Sequence, residues 1–450
     1  MKKLATNLCS IVMVLVMAAG CASTKANLKP GLNASDEEKK AIALGLFKEG
    51  AELLFNDNQA ALERFKQAIE LDSSLIPAYF NAGVAQEAMG DLASAAQSYE
   101  ACLAKQKDQA SCLENLVIAK FKLGDQEGVQ KLLDSYMAEF PEAVFVDVAM
   151  ASFGYIKNDL ALAEKYARRA IERDADTIQA LYVMARIFYD RKQYAAAKWV
   201  AKNTLEMAPS HGGLHLLLGH TYVALDLLAD ALDSYAAAVK YLPSEEALES
   251  YGLILLKRGR VKESLVNLEK LVALRPLESR NYLHVGNAYM ANKQFDQSKA
   301  AYLKALELNS QDKDISFNLG LLFFDFKPKD LPEMDRLKTS QAYFKAYLDQ
   351  AGLKKDRIAE VNDYLKTLGQ KIEMLEYEAQ SAKEAAEEPE PEPEPAAEPE
   401  PEPEPAAVEE KPQEEKPTPE PVPVEEKKPE KSKPKEEDIF DEEEEFFEDL

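Results

Sequence analysis

A small residue returns along this chain at a nearly constant step: Gly83, Val117, Ala151, Ala185, Gly219, Gly252, Gly286 and Gly320, with six steps of 34 residues and one of 33. A constant period of this length means one supersecondary unit stacked many times. A second small or light residue follows twelve positions after the first, at Ala95, Val129, Ala163, Ala197, Ala231, Ser264 and Ser298. Larger or apolar groups stand sixteen after it, among them Tyr99, Leu133, Tyr235, Leu268 and Tyr302. Turn signals fall between the two small residues, as in Gly90-Asp91, Gly124-Asp125, Asn158-Asp159 and Gly259-Arg260. Pro141, Pro209, Pro243 and Pro276 close four of the units.

Apolar residues at i, i+3, i+4 and i+7 mark amphipathic helices. Gly or Asn before the break stops one helix, and proline ends the next. Small residues at fixed points let two helices approach closely. Each unit is therefore expected to be a helix–turn–helix pair that shares a core with its neighbours.

The pattern resembles the tetratricopeptide repeat family. Residues 212–244 show it best, with Leu218-Gly219, Tyr222, Ala231, Tyr235, Ala238 and Pro243 in the family's order. Nine units are expected between Ala41 and Leu348, the first short by one residue in its turn and the last carrying an insertion from Lys327 to Met334. The fold class that follows is all-α: an α-solenoid of about nine pairs over residues 35–348, then a capping helix in residues 349–383. The cap is read from Ile358, Val361, Leu365, Leu368, Ile372 and Leu375, which form one stripe between Asp356 and Lys383. Such caps shield the open end of a repeat array. At the other end, Ser35-Asp36-Glu37-Glu38 reads as a capping box.

By this resemblance the first helix of each pair lines a concave face. Its inward positions would be Phe80, Phe145, Tyr155, Tyr182, Arg186, Tyr189, His220, Asn287, Phe317 and Phe324. Such a face suits an extended or helical peptide held by aromatic contacts. The competing reading places about half of these aromatics in the core between repeats. The Lys and Asn set by which some family members grip a C-terminal carboxylate is missing, so neither that docking nor capture of the chain's own acidic tail is expected.

The N-terminus has the form of an export signal. Met1-Lys2-Lys3 is basic, Ile11 to Ala19 is densely apolar, and Ala18-Ala19-Gly20-Cys21 follows. The apolar core is short for a membrane span, which takes about 20 residues. Residues 1–20 resemble a bacterial lipoprotein signal peptide, which implies diacylglycerol and a fatty acyl chain on Cys21 and a tether over residues 21–34. Ala22, where some lineages use Asp to retain the protein at the inner membrane, implies the outer membrane, facing the periplasm. Cleavage after Ala22 as an ordinary secretory signal is the competing reading.

With Cys9 in the signal and Cys21 acylated, Cys102 and Cys112 remain. A disulfide between them suits an oxidising compartment. The alternative is that Cys102 fills a small-residue position, as Ala238 does elsewhere.

Charge divides the chain sharply. Residues 384–450 hold 28 acidic and 7 basic side chains, a net of −21 that leaves only −4 of the chain's −25 for the rest. Nucleic acid is an improbable partner for a face that is not positive. Fifteen of the 23 prolines lie in residues 389–434, so residues 384–435 cannot form a packed core and are expected to be a disordered, extended Pro/Glu-rich spacer. At ~3.1 Å per residue it would reach on the order of 140 Å. Residues 436–450 set Ile439, Phe440, Phe446, Phe447 and Leu450 among carboxylates, the pattern of a short acidic–aromatic docking motif. A passive solubilising tail is the plainer reading.

No HExxH, GxSxG, P-loop or strand-borne GxGxxG is present, so catalysis is not expected. His211, His215 and His220 are close in sequence, but few carboxylates accompany them and no metal site is assigned. Cofactors are not expected beyond the lipid on Cys21. The expected role is a non-enzymatic outer-membrane scaffold that binds proteins or peptides in assembling an envelope machine, such as a secretin, pilus, secretion or gliding-motility apparatus. The alternative is a periplasmic adaptor that brings envelope hydrolases or proteases to their substrates.

Overall fold

Eighteen helices pair in sequence order in a computed structural model that describes residues 35–326, 331–350 and 352–387. The first pair is α1 (Asp36–Leu53) with α2 (Asn58–Leu71), followed by α3 (Ile76–Ala88) with α4 (Leu92–Lys105) and α5 (Ala110–Lys122) with α6 (Gln126–Glu139). Next come α7 (Val144–Ile156) with α8 (Leu160–Arg173), α9 (Ile178–Asp190) with α10 (Tyr194–Met207), and α11 (Gly212–Ala224) with α12 (Leu228–Tyr241). The last three pairs are α13 (Glu245–Lys257) with α14 (Val261–Leu274), α15 (Ser279–Ala291) with α16 (Phe295–Leu308), and α17 (Lys313–Asp325) with α18 (Glu333–Leu348). A long helix, α19 (Lys355–Glu387), follows. The signal segment, Cys21, the tether and the tail with Ile439, Phe440, Phe446, Phe447 and Leu450 lie outside the described residues.

The repeated small residue works by contact. A Cβ placed on Gly83 would stand 2.4 Å from the Tyr99 ring; on Gly219 it would stand 2.4 Å from Tyr235, and on Gly286 2.5 Å from Tyr302. Each aromatic of a second helix thus lies flat on the bare backbone of its own first helix. Tyr99, Tyr302 and Phe344 are almost wholly buried there, each contributing about 2 kcal/mol of hydrophobic stabilisation. Ser264 and Ser298 use the same closeness to donate to the Gly252 and Gly286 carbonyls at 2.7 and 2.9 Å.

The turn between paired helices repeats as faithfully. Gly90, Gly124, Asn158, Lys192, Asp226, Gly259 and Lys293 all have φ between 59° and 86°, the left-handed conformation that ends a helix. Asp57, Asp91, Asp125 and Asp159 then cap the following second helix by accepting a backbone N–H three residues on. At the start of the array Ser35 and Glu38 form a reciprocal capping box.

Curvature follows from unequal packing. Successive first helices touch one another directly, α5 with α7, α7 with α9 and α9 with α11 among them. No two successive second helices do so to the same extent. First helices therefore form the inner layer and second helices the splayed outer one.

Cys102 and Cys112 are joined in a disulfide with Cα atoms 6.3 Å apart, stapling α4 to α5 across a short connection. Cys102 is wholly buried, so it fills the small-residue position as well as making the bond. In the fourth pair Asp147 is buried beneath Arg169 and Arg173, whose Nε and Nη1 atoms lie 2.7 and 2.6 Å away.

The capping helix starts one residue before the expected Asp356 and runs four past Lys383. Val361 and Leu368 are fully buried and Ile372 nearly so, packed with Phe317, Leu337, Phe344 and Tyr347 of the last pair.

Candidate functional site

The twelfth position of each first helix carries a bulky apolar group in seven consecutive pairs: Phe121, Tyr155, Tyr189, Val223, Leu256, Met290 and Phe324. All are partly exposed, and Val223 is 43% exposed. They stand at one register on α5, α7, α9, α11, α13, α15 and α17, and so form a row across the inner layer. The Phe324 end is closed by α19, whose Tyr364 ring lies 5.1 Å from Phe324 and whose Lys371 lies over it at 5.1 Å. From Phe121 to Met290 the row is partly exposed, with Leu256 and Met290 also packed against the core between repeats.

Beside this row the inner helices are tied together by polar links between consecutive repeats. Glu114 on α5 accepts from Ser152 Oγ on α7 at 2.7 Å and from Gln179 Nε2 on α9, so one carboxyl joins three repeats. Burial pushes that carboxyl up to about 7; the two hydrogen bonds and the Arg186 charge offset only part of the desolvation. Arg186 lies over the Tyr155 ring at 3.8 Å and near Tyr182 at 5.3 Å, a cation–π pair between α9 and α7. Tyr155 donates to Asp190 Oδ2 at 2.6 Å, and burial pushes its hydroxyl up to about 12.

Further along, Tyr235 donates to His220 Nδ1 at 2.8 Å while His220 Nε2 donates to Glu246 at 2.9 Å. Glu249 pairs with Arg280 at 3.2 Å and with His284 at 3.0 Å. Asn287 accepts from the Tyr302 hydroxyl at 2.8 Å and from Asn318 at 3.0 Å. These charges largely satisfy one another. The links tie consecutive first helices together beside the apolar row.

The ten inward residues expected from the sequence divide into three groups. Tyr155, Arg186, Tyr189, His220 and Asn287 are half-buried in the inner layer, as described. Phe145 is half-buried too, but it belongs to an aromatic cluster with Tyr136 and Phe140 at 6.3 and 5.5 Å, at the junction of two pairs. The remaining four need correction. Phe80 and Tyr182 are 2% and 4% exposed, because the fifth position of a first helix also faces its neighbours; Phe80 packs 5.9 Å from Tyr99 and Tyr182 5.0 Å from His211. Phe317 is buried against Tyr347 at 5.4 Å and capped by Arg357, and with Phe324 it forms the seat of α19 rather than open groove. Phe121, Val223, Leu256 and Met290 escaped the sequence reading. Carrying the 34-residue step outward from Tyr155 and Tyr189 reaches each of them.

The three clustered histidines do different things. His211 Nδ1 accepts from the Leu214 N–H at 3.0 Å as a helix cap, and burial pushes this ring down to about 4. His215 stacks on Tyr241 at 5.5 Å, and His220 belongs to the inner layer. Among the described residues no group of three or more His, Cys, Asp or Glu is placed to hold a metal ion.

Stacked helix pairs of this kind build extended interaction surfaces. The model for the TPR repeat matches residues 286–325, and that for the tetratricopeptide repeat matches residues 52–110 and 216–277. The chain carries tetratricopeptide repeats, which are protein-interaction scaffolds and typically non-catalytic. The protein O-mannosyl-transferase TMTC3 of Homo sapiens and that of Mus musculus are each 25% identical over 135 residues, 26% of this chain. The match spans only 15% of the length of those relatives, so the likeness to a transferase is distant and partial. Among solved structures the APC/C hetero-tetramer Cut9–Hcn1 aligns with a TM-score of 0.50 at 11% identity, over 74% of this chain and 67% of that one. YrrB, described as a TPR protein with an unusual peptide-binding site, aligns at 20% identity and TM-score 0.35 over 41% of this chain and 95% of its own.

Proposed function

We propose that this chain is a lipid-anchored scaffold of a bacterial cell envelope that holds a protein or peptide segment along its inner layer. The observation that carries the binding role is the partly exposed apolar row from Phe121 to Met290, set beside charges already paired within the array. Apolar contact there supplies affinity, the part such side chains play in a peptide groove. The lipoprotein-like segment ending at Cys21 supports the anchored, outer-membrane part of the reading.

In-cell photo-crosslinking from a benzophenone at Tyr155 or Tyr189 tests it. A discrete protein adduct from the inner positions, absent from an outer position such as Lys202, is the expected result. Adducts from Lys202 alone would overturn the groove assignment. The identity of the adduct separates an assembly scaffold, which would capture a pore or motor component, from an adaptor that captures a soluble hydrolase.

A further inference from the structure

The outer layer is not chemically uniform. Among its helices α8 carries four basic and two acidic side chains, a net of +2, and α10 two and one, a net of +1, whereas the flanking α6 and α12 carry −2 and −1; Arg169 and Arg173 of α8 are engaged by the buried Asp147. This basic island falls on the fourth and fifth of nine pairs, near the middle of the array. Its second helices present Lys165 from α8, beside an Arg168 paired with Glu164 at 3.1 Å, and Lys198 and Lys202 from α10. Lys165, Trp199 and Asp233 are 34 residues apart and occupy one register on α8, α10 and α12; Lys131 on α6 precedes them, its side chain 74% exposed and paired with Glu127 at 2.6 Å. The only tryptophan of the chain, Trp199, thus stands 43% exposed among lysines on the outer face, and the basic run ends where Asp233 begins.

We infer that this outer face, centred on Trp199, docks on an anionic lipid bilayer. Three observations point to a bilayer. The charge is complementary to anionic headgroups, and lysines near such a surface each gain from its potential. Tryptophan with flanking lysine is the composition that sits at headgroup level, the ring in the apolar boundary and the ammonium in water. The face also belongs to the outer layer, near the midpoint of the array, where it can meet an extended surface. The consequence is orientation: with the outer layer on the lipid, the inner row faces away from it and stays open to partners. The inference depends on the envelope reading only for where such a surface is met, and not at all on what the inner row binds.

The test uses the single tryptophan as its own reporter. The full chain is mixed with vesicles of brominated phosphatidylcholine with or without on the order of 30% phosphatidylglycerol, an anionic content that sets up the required surface potential. The expected result is a blue shift and bromine quenching of Trp199 in anionic vesicles only. Each of Lys165→Glu, Lys198→Glu and Lys202→Glu should lower the vesicle affinity read from this signal by at least about fivefold. These exposed or half-exposed positions leave the buried core untouched, and an unchanged thermal melt by circular dichroism verifies that. Flotation of the same samples reports the Cys21 anchor separately. A chain that floats with anionic vesicles while Trp199 stays unquenched overturns the docking inference and leaves the anchor standing. Equal quenching in neutral vesicles overturns it as well, since proximity from tethering then suffices. An equal shift with soluble poly-glutamate makes the face an acidic-protein site and also overturns it.

Discussion

Replacing Glu114 by Gln should stabilise the array at neutral pH, and the gain should depend on pH in a defined way. Glu114 is 7% exposed and its carboxyl is pushed from 4.5 up to about 7 by burial. Between those values the folded chain holds a proton that the unfolded chain has released. The stability this proton supplies is complete below 4.5 and is lost as pH rises through about 7. At 1.36 kcal/mol for each tenfold change, a carboxyl raised this far costs the native state about 3 kcal/mol by pH 8. A glutamine keeps the acceptor for Ser152 and Gln179, and its amide can donate to Gln179 Oε1, which has no partner among the described residues. The wild-type profile alone will not show the effect, because His211 has the opposite slope. Its ring, held down to about 4, contributes stability that is complete above 6.5 and is lost as pH falls toward 4. The difference between variant and wild type isolates Glu114. Urea melts followed by circular dichroism should give a difference near zero at pH 4.5 that grows to about 2–3 kcal/mol in favour of the variant at pH 8. A difference that is the same at both pH values would refute the reasoning.

Phe65→Tyr should stabilise by about 1 kcal/mol in the same melts, because Asn81 is wholly buried with neither amide atom partnered among the described residues and stands relative to Phe65 as Asn115 stands relative to Tyr99 one repeat on. The gain should vanish in the Asn81→Ala background. Gly83→Ala should cost about 1–3 kcal/mol, since its Cβ would fall 2.4 Å from the buried Tyr99 ring, and Tyr99→Leu in the same chain should recover part of the loss. Lys192→Gly should gain about 0.5–1 kcal/mol by relieving a non-glycine residue at φ 63°, measured as a raised thermal midpoint. Removing the staple with Cys102→Ala and Cys112→Ala should lower stability by about 2–3 kcal/mol, and thiol titration of the wild-type chain purified without reductant should find neither of these two cysteines free.

How far each feature could be read depended on whether the period carried it. The pairs, their turns and the cap repeat a local pattern, so Gly83 over Tyr99, the left-handed turn at Gly90 and the stripe Val361–Leu368–Ile372 were all legible in one dimension. The inner layer was legible only in part. Assigning whole helical positions to the groove assumes that a position has one environment, and the fifth position has two, facing both the groove and the adjacent helix. Phe80 and Tyr182 went to the neighbour because a ring recovers more apolar area between helices than in water. Phe317 and Phe324 went to α19, whose docking site no repeat-based pattern records.

The links that the period does not carry are the ones that distinguish one repeat from another. Glu114, Ser152 and Gln179 stand in three successive units at the fifth, ninth and second positions, three residue types with no shared signature, and only their meeting in space makes them a joint. The same holds for His220 with Glu246 and for Arg280 and His284 on Glu249. A repeat array built from the period alone would be a uniform spring, because each unit would contact its neighbours identically. These unlike joints make the curvature specific to place, stiffest where one buried carboxyl ties three units. The apolar row crosses the same first helices as that joint, so substitutions at Glu114 should change stability and groove geometry together, while substitution of the exposed Val223 should change binding alone.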